Sequence, residues 1–296
     1  MSKDTEKMLR ELQKYMDQFG KLTDEEAKIK LNDFMNQYNE KPIDDGAVEK
    51  DQWYYLDLAI EADDDKVARK NAHKALTIDP YCTDAELLLI DLMDITPEDT
   101  KKRFEKLIQK TEKHLEEEGY FAEENIGSFY LIHETRPYIR ALSTYMDVLI
   151  GLGKFKAAIR EGANILRLNQ NDNMGIRYDL MTLHAMMEDV DSAEQLCAAY
   201  DEESAGMLLP LILLYYKVDE YTKARRYLKL LAKKNPDLKK LMLEELTDEE
   251  MEQSSTPFGY ALNTVGELMD VIGRHMFLID TSVGGMLWIK NELSKR

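Results

Sequence analysis

The chain has 296 residues, with 57 acidic against 39 basic side chains and a formal net charge of −18. Such a surplus argues against nucleic acid as a partner, because Lys and Arg carry phosphate binding. Two distant cysteines, Cys82 and Cys197, lack metal-ligand spacing and exclude a disulfide scaffold or a zinc site from the expectation.

Gly and Pro are sparse, at 14 and 7, while Met and Tyr reach 16 each, a balance that favours helix over sheet. The opening residues, Met1 to Lys7, are charged and lack the apolar core of a signal peptide. The longest apolar run, Met207 to Tyr216, is shorter than a bilayer requires. A cytoplasmic chain with no membrane partner is expected.

Taken in order, Met8, Leu12, Tyr15 and Phe19 stripe a first amphipathic helix, and Ala27, Leu31, Phe34 and Tyr38 a second. Thr23 and Glu26 form a capping-box pattern before the second. Pro42 to Gly46 reads as a linker. Helix pairs follow from about Asp51. Thr83 to Met93 and Pro97 to Glu118 are predicted helices, the latter with Thr96 as N-cap and Asp99 in its first turn. A further helix is expected over Glu123 to His133. Near the end, Thr247 with Glu250 marks a helix start, and Ser254 to Gly259 is a turn-rich break. Two last helices are expected near Thr264 to Phe277 and Gly285 to Leu293, covering the apolar end of a stack with Met276, Phe277, Leu278 and Trp288. The expected organisation is an N-terminal helical pair over 1–45, a solenoid over 46–246 and capping helices over 247–296.

Three segments align with one another. One runs through Trp53, Ala68, Ala72, Ala75 and Asp79-Pro80. Another holds Leu142, Gly153, Phe155, Ala158, Ile165 and Leu168-Asn169, and the third Asp219, Tyr221, Ala224, Leu231 and Asn235-Pro236. Ala158, Ala193 and Ala224 stand 35 and 31 residues apart, near the 34 of tetratricopeptide repeats, which these segments resemble. In that pattern the small residue sits where the second helix of a pair crosses the first, and Phe155 or Tyr221 fills the gap beside the turn. The repeat from Gly175 to Tyr200 is degenerate, with Glu188 and Val190 at the glycine and aromatic positions. Gln170 stands where a closing proline is usual. The expected fold is an all-α superhelix of tetratricopeptide type.

From Glu134 to the C-terminus the chain resembles a bacterial subgroup grouped with the suppressor-of-tumorigenicity-seven family. The resemblance rests on Glu134-Thr135-Arg136-Pro137-Tyr138, on Leu168 to Asn173 with Gly175-Ile176-Arg177-Tyr178, on Lys233 to Pro236 and on Thr281 to Trp288. It implies a helical solenoid and brings no catalytic residues with it.

The sharpest candidate site is the set Arg136, Arg140, Asp172, Asn173, Arg177 and Tyr178. In the tetratricopeptide pattern, Arg140, Ser143 and Asp147 of one first helix, and Gly175, Tyr178 and Thr182 of the next, face the concave groove. There an Arg fork suits a carboxylate, and a Tyr offers an amphipathic contact. The alternative reading is structural: Asn171 to Asn173 cap a helix beginning near Met174, and Arg177 pairs with Asp172 or Asp179. The groove set Lys50, Trp53, Asp57, Arg140, Ser143, Asp147, Tyr178, Thr182, Leu209 and Leu213 is mixed, and its acidic members oppose an acidic chaperone tail. Met207 to Tyr216 reads as a core helix, with Pro210 in its first turn or kinking it. His73, His114, His133, His184 and His275 are scattered, and His184 near Cys197 makes no recognisable nucleophile–base motif. The runs Asp63 to Asp65 and Glu116 to Glu118 lack calcium-loop spacing. No catalytic residue, cofactor or metal is expected. The expected role is a non-catalytic scaffold holding a peptide or partner helix, or else a peptide- or metabolite-sensing regulator without a DNA-binding module. Self-association stays open.

Overall fold

The computed structural model describes residues 8–9, 11–12, 14–16, 18–20, 22–40, 50–244, 246–247, 249–250, 255–256 and 259–295. The linker expected at Pro42 to Gly46 lies outside them. The described chain is helical apart from turns and one two-residue antiparallel pair, β1 (Ser255–Thr256) with β2 (Gly259–Tyr260). It divides into two compact units, Met1–Val148 and Leu149–Arg296.

In the first unit, α1 (Asp24–Glu40) starts on the expected capping box. Thr23 N donates to Glu26 Oε2 at 2.9 Å, and Glu26 N donates back to Thr23 Oγ1 at 3.4 Å. Tyr15 of the preceding segment packs its ring 5.6 Å from Phe34. The next two helices form a pair, α2 (Gln52–Ile60) and α3 (Asp65–Ile78). Asp64 caps α3 by accepting from Lys66 N and Val67 N. Ala72 and Ala75 are fully buried and share a core cluster with Leu56, Ala59 and Leu89. Then come α4 (Thr83–Asp91) and α5 (Pro97–Glu117), whose N-cap Thr96 accepts from Asp99 N at 3.2 Å. Ile90, Phe104 and Leu107 close against Ala141 of α6 (Arg136–Gly151).

The helix expected over Glu123 to His133 is absent. Only Glu123–Asn125 makes a short 3-10 turn, and the segment continues as linked turns. Its polar side chains bond the local backbone instead: Asn125 Nδ2 donates to Tyr120 O, and Thr135 Oγ1 to Phe129 O. Gly127 sits at φ 96°, outside the helical region.

The second unit holds α7 (Phe155–Leu168), the pair α8 (Ile176–Met186) and α9 (Val190–Tyr200), and the pair α10 (Ala205–Lys217) and α11 (Tyr221–Lys234), followed by α12 (Asp237–Leu243). The turn before each second helix recurs atom for atom. Gly153, Glu188 and Asp219 take φ of 67°, 58° and 62°, and the next amide reaches back five residues. These bonds run from Lys154 N to Leu149 O, Asp189 N to His184 O and Glu220 N to Tyr215 O, at 2.8, 2.9 and 2.9 Å. The degenerate repeat thus keeps the geometry with a glutamate in the glycine position. Ala158, Ala193 and Ala224 occupy the same first-turn place and are all 0% exposed. The closing turns repeat too: Cys82 N, Asp172 N and Leu238 N donate to Asp79 O, Asn169 O and Asn235 O. Gln170 makes the same turn without the proline.

Pro210 lies inside α10 rather than in its first turn, and every residue from Ala205 to Tyr215 is buried. The last helix pair is three helices instead. The expected run from Thr264 to Phe277 breaks at His275 into α13 (Val265–Arg274) and α14 (Met276–Thr281), and α15 (Val283–Ser294) follows. Expected at the end of the stack, these helices reach back along it: α13 and α15 pack on α10 and α12, and α14 packs on α8. A Cβ on Gly285 would stand 2.8 Å from Leu213 Cδ2, so the side chains of α10 come close to the backbone of α15 there.

Overpacking tests the alanine crossings. Ala224→Leu should lower the urea-unfolding stability by roughly 1–3 kcal/mol. An unchanged midpoint would contradict a close approach at that position.

Candidate functional site

The candidate residues from sequence fall into the two units, and each arginine fork is engaged within its own. In the first, Arg136 is 3% exposed; its Nε donates to Tyr130 O at 2.8 Å and its guanidinium lies over the Tyr130 ring. Arg140 clamps Asp84 with both arms, Nε to Oδ1 at 2.9 Å and Nη2 to Oδ2, and so ties α6 to α4. Ser143 is half-buried and Asp147 exposed on the same helix.

In the second unit, Asp172 is the cap, accepting from Ile176 N at 2.7 Å and Arg177 N at 3.1 Å, and the helix begins at Ile176 rather than near Met174. Arg177 bonds Asp172 Oδ2 and Glu202 Oε2, each at 2.7 Å, and lies 4.2 Å over the Tyr178 ring. Burial works against its charge, but the hydrogen bonds to Asp172 and Glu202 outweigh that and raise its pKa. Tyr178 Oη donates to Glu202 Oε1 at 2.6 Å; burial and this acceptor push the phenol up to about 12. Its ring fills the space above Gly206, where a Cβ would come within 2.7 Å of Cδ1. Asp179 pairs instead with Arg274, whose Nε and Nη2 reach its two oxygens at 3.0 and 2.9 Å. Burial raises the Asp179 carboxyl despite that partner.

The face of α8 expected to line a groove is therefore covered by the chain itself. Thr182 Oγ1 lies 2.7 Å from His275 Nδ1, Arg274 holds Asp179, and Phe155 stacks on Phe277 with centroids 6.2 Å apart. What anchors this segment is Glu267, 2% exposed. Its Oε1 accepts from Ala205 N at 2.8 Å, and its Oε2 accepts from Asn263 N at 2.7 Å and from Asn235 Nδ2 at 3.4 Å. Asn235 Nδ2 also donates to Thr264 O, and Val265 N donates to Asp237 Oδ2. The repeat-closing Asn235-Pro236-Asp237 turn thus doubles as the seat of α13.

Among the described residues, an open cavity lies in the first unit. A cavity of about 500 Å³ is bounded by the start of α2 (Gln52, Trp53), the turn Asp79 to Thr83, the end of α5 (Thr111 to Glu118), and Tyr120, His133, Glu134 and Pro137, with Lys14 at its edge. Tyr81 is 43% exposed and stacks on His114 at 3.8 Å, with planes 8° apart. Trp53 packs 5.5 Å from His133. Burial, then the charges of Glu134 and Glu118, raise the Tyr120 phenol. Thr83 and Thr111 share a hydrogen bond of 3.1 Å at the buried wall. Of these residues only Trp53 belonged to the groove set read from sequence. Apart from its neighbour Gln52, the others come from four separate segments, Lys14, 79–83, 111–120 and 133–137, and no spacing links them.

His184 and Cys197 sit in α8 and α9. The ring of His184 faces Asp189 at 3.4 Å, while burial pushes the Cys197 thiol up, the opposite of what a nucleophile needs. Among the described residues no helix is long and apolar enough to cross a membrane. No protein-family model matches the chain, and no curated protein does so at a significant level.

Burial drives His275 down to about 4, with Arg274 adding repulsion. The folded state then refuses a proton that the unfolded chain accepts near pH 6.5, so stability present above that pH is lost as pH falls toward 4. His184, lowered by burial, acts with the same sign. The urea midpoint should decrease between pH 7 and 5, with the His275 imidazole neutral by NMR at pH 5.5. A His275 titration midpoint at or above 6 would contradict its burial.

Proposed function

We propose that this protein is a non-catalytic helical-repeat scaffold of tetratricopeptide kind that binds a peptide or partner segment, and that the aromatic cavity of its first unit is the binding site. One observation carries the proposal: Tyr81, His114, Trp53 and Tyr120 present aromatic surface to a cavity of about 500 Å³ that the described chain leaves open. Rigid aromatic side chains give large contact area for little conformational entropy, and they dominate binding energy at interfaces. Repeated turns and buried alanines support the repeat reading. The second unit supports the mode of binding, since its first-helix face already carries an amphipathic segment, 264–294, of the chain's own. Arg136, Arg140, Asp147, Arg177 and Tyr178 serve, in this reading, as internal ties and surface rather than as ligand contacts.

The cavity volume also suits a small ligand, which favours a sensing role as the second reading. A photo-crosslinking residue at position 81 separates the two. A polypeptide scaffold should give protein adducts from a lysate at position 81 and none from position 187, whose Met187 is comparably exposed at 39%. Absence of adducts at 81, with a metabolite that raises the melting temperature by mass action, would overturn the scaffold in favour of the sensor.

A further inference from the structure

A local reversal of the chain's acidity lies on the second helix of the last repeat pair. Residues 223–240 carry Lys223, Arg225, Arg226, Lys229, Lys233, Lys234, Lys239 and Lys240 against one acid, Asp237, in a chain of net charge −18. Asp237 is itself engaged by the amide of Val265. Within α11 the cations divide by their angle about the helix axis, at about 100° per residue. Ala224, Leu228 and Leu231 form the buried face. On its flanks Lys223 pairs with Glu194 of α9 at 3.2 Å, Arg225 with Glu292 of α15 at 3.1 Å, and Lys234 with Glu203 at 2.6 Å. Arg226, Lys229 and Lys233, at i, i+3 and i+7, stand opposite the buried face. All three are exposed, and among the described residues they make no ion pair. Arg226 approaches only the Tyr227 ring, 5.8 Å from its centroid. Like charges three and four residues apart weaken a helix. The helix dipole accounts for Lys233 in the last turn but not for Arg226 and Lys229, and no acid opens the helix. The matching places are Arg160 and Ala163 on α7, and Gln195 and Ala198 on α9, so the repeat itself does not require a cationic stripe.

We propose that the outward stripe of α11, Arg226, Lys229 and Lys233, binds an acidic polypeptide segment of a partner. The stripe spans about 10 Å, the length over which an acidic helix presents carboxylates at the same i, i+3 and i+7 spacing. Arg226 offers one carboxylate a planar fork, and the two lysines act as point charges on flexible stems. The charge around the stripe selects a short anionic segment over an extended polyanion. A nucleic-acid strand or an anionic bilayer reaches past the stripe and meets the acid surplus of the rest of the chain, which salt screens only beyond about 8 Å. The stripe belongs to the second unit and does not depend on what the cavity of the first unit holds.

The test uses the full chain and capped 12-residue probe peptides of alternating Gly and X, end-labelled with a neutral dye, with X as glutamate or glutamine. By fluorescence anisotropy the glutamate peptide should bind saturably, at least tenfold more tightly than the glutamine peptide, and lose affinity with added salt. Arg226→Gln/Lys229→Gln/Lys233→Gln, folded by circular dichroism, should lose about tenfold for the glutamate peptide. Arg103→Gln/Lys106→Gln/Lys156→Gln removes as much positive charge from exposed positions on α5 and α7 and should leave the affinity within twofold. Labelled dodecathymidylate and phosphatidylserine vesicles serve as the extended polyanions and should bind more weakly than the glutamate peptide. Equal binding of the two peptides, equal losses in the two triple variants, or no saturable signal with the glutamate peptide would overturn the proposal. Binding of dodecathymidylate or of vesicles at least as tight as that of the glutamate peptide, and lost in the α11 variant, would overturn it in favour of a phosphate-binding surface. Each of these outcomes leaves the reading of the first-unit cavity as it stands, because the probes report on the second unit through its own variant.

Discussion

Glu267 ties the C-terminal segment to the core of the second unit. Its carboxylate is buried and its oxygens are taken by two backbone amides and Asn235. A buried carboxylate is tolerated only with such partners, and a buried donor left without an acceptor costs roughly 1–3 kcal/mol. The amide of Ala205 opens α10, the most buried helix of the second unit, so the anchor fixes α13 to the centre of the core. From there Arg274, His275 and Phe277 fall onto Asp179, Thr182 and Phe155. The first-helix face that repeat proteins of this pattern offer to partners is, in this unit, already filled.

How far this was legible depends on the range of each interaction. Caps at Thr23 and Thr96, the buried alanines and the recurrent turns are settled within one or two helical turns of sequence, and they were read correctly. Arg177 with Asp172 was legible for the same reason, five residues apart. Arg140 with Asp84, 56 residues apart, and Glu267 with Ala205, 62 apart, leave no trace in any window. A helix was expected over Glu123 to His133, but Asn125 and Thr135 bond the local backbone there instead. The break at His275 was missed, and the side chain that its ring meets, Thr182, lies 93 residues away.

The cavity illustrates the same limit. Trp53 was read as a groove residue, while nothing in the spacing of Tyr81 singled it out. What sets them around a cavity is the arrival of His114, Tyr120 and His133 from other elements.

Hydrogen–deuterium exchange measures the seating of the C-terminal segment directly, because amides in a packed helix exchange only through opening of that packing. Peptides covering 265–274 are expected to exchange as slowly as those covering 205–217, with Glu267→Ala accelerating the former first. Exchange of 265–274 within seconds in the unmodified protein, while 205–217 stays protected, would contradict a filled first-helix face and return that surface to the list of places a partner can bind.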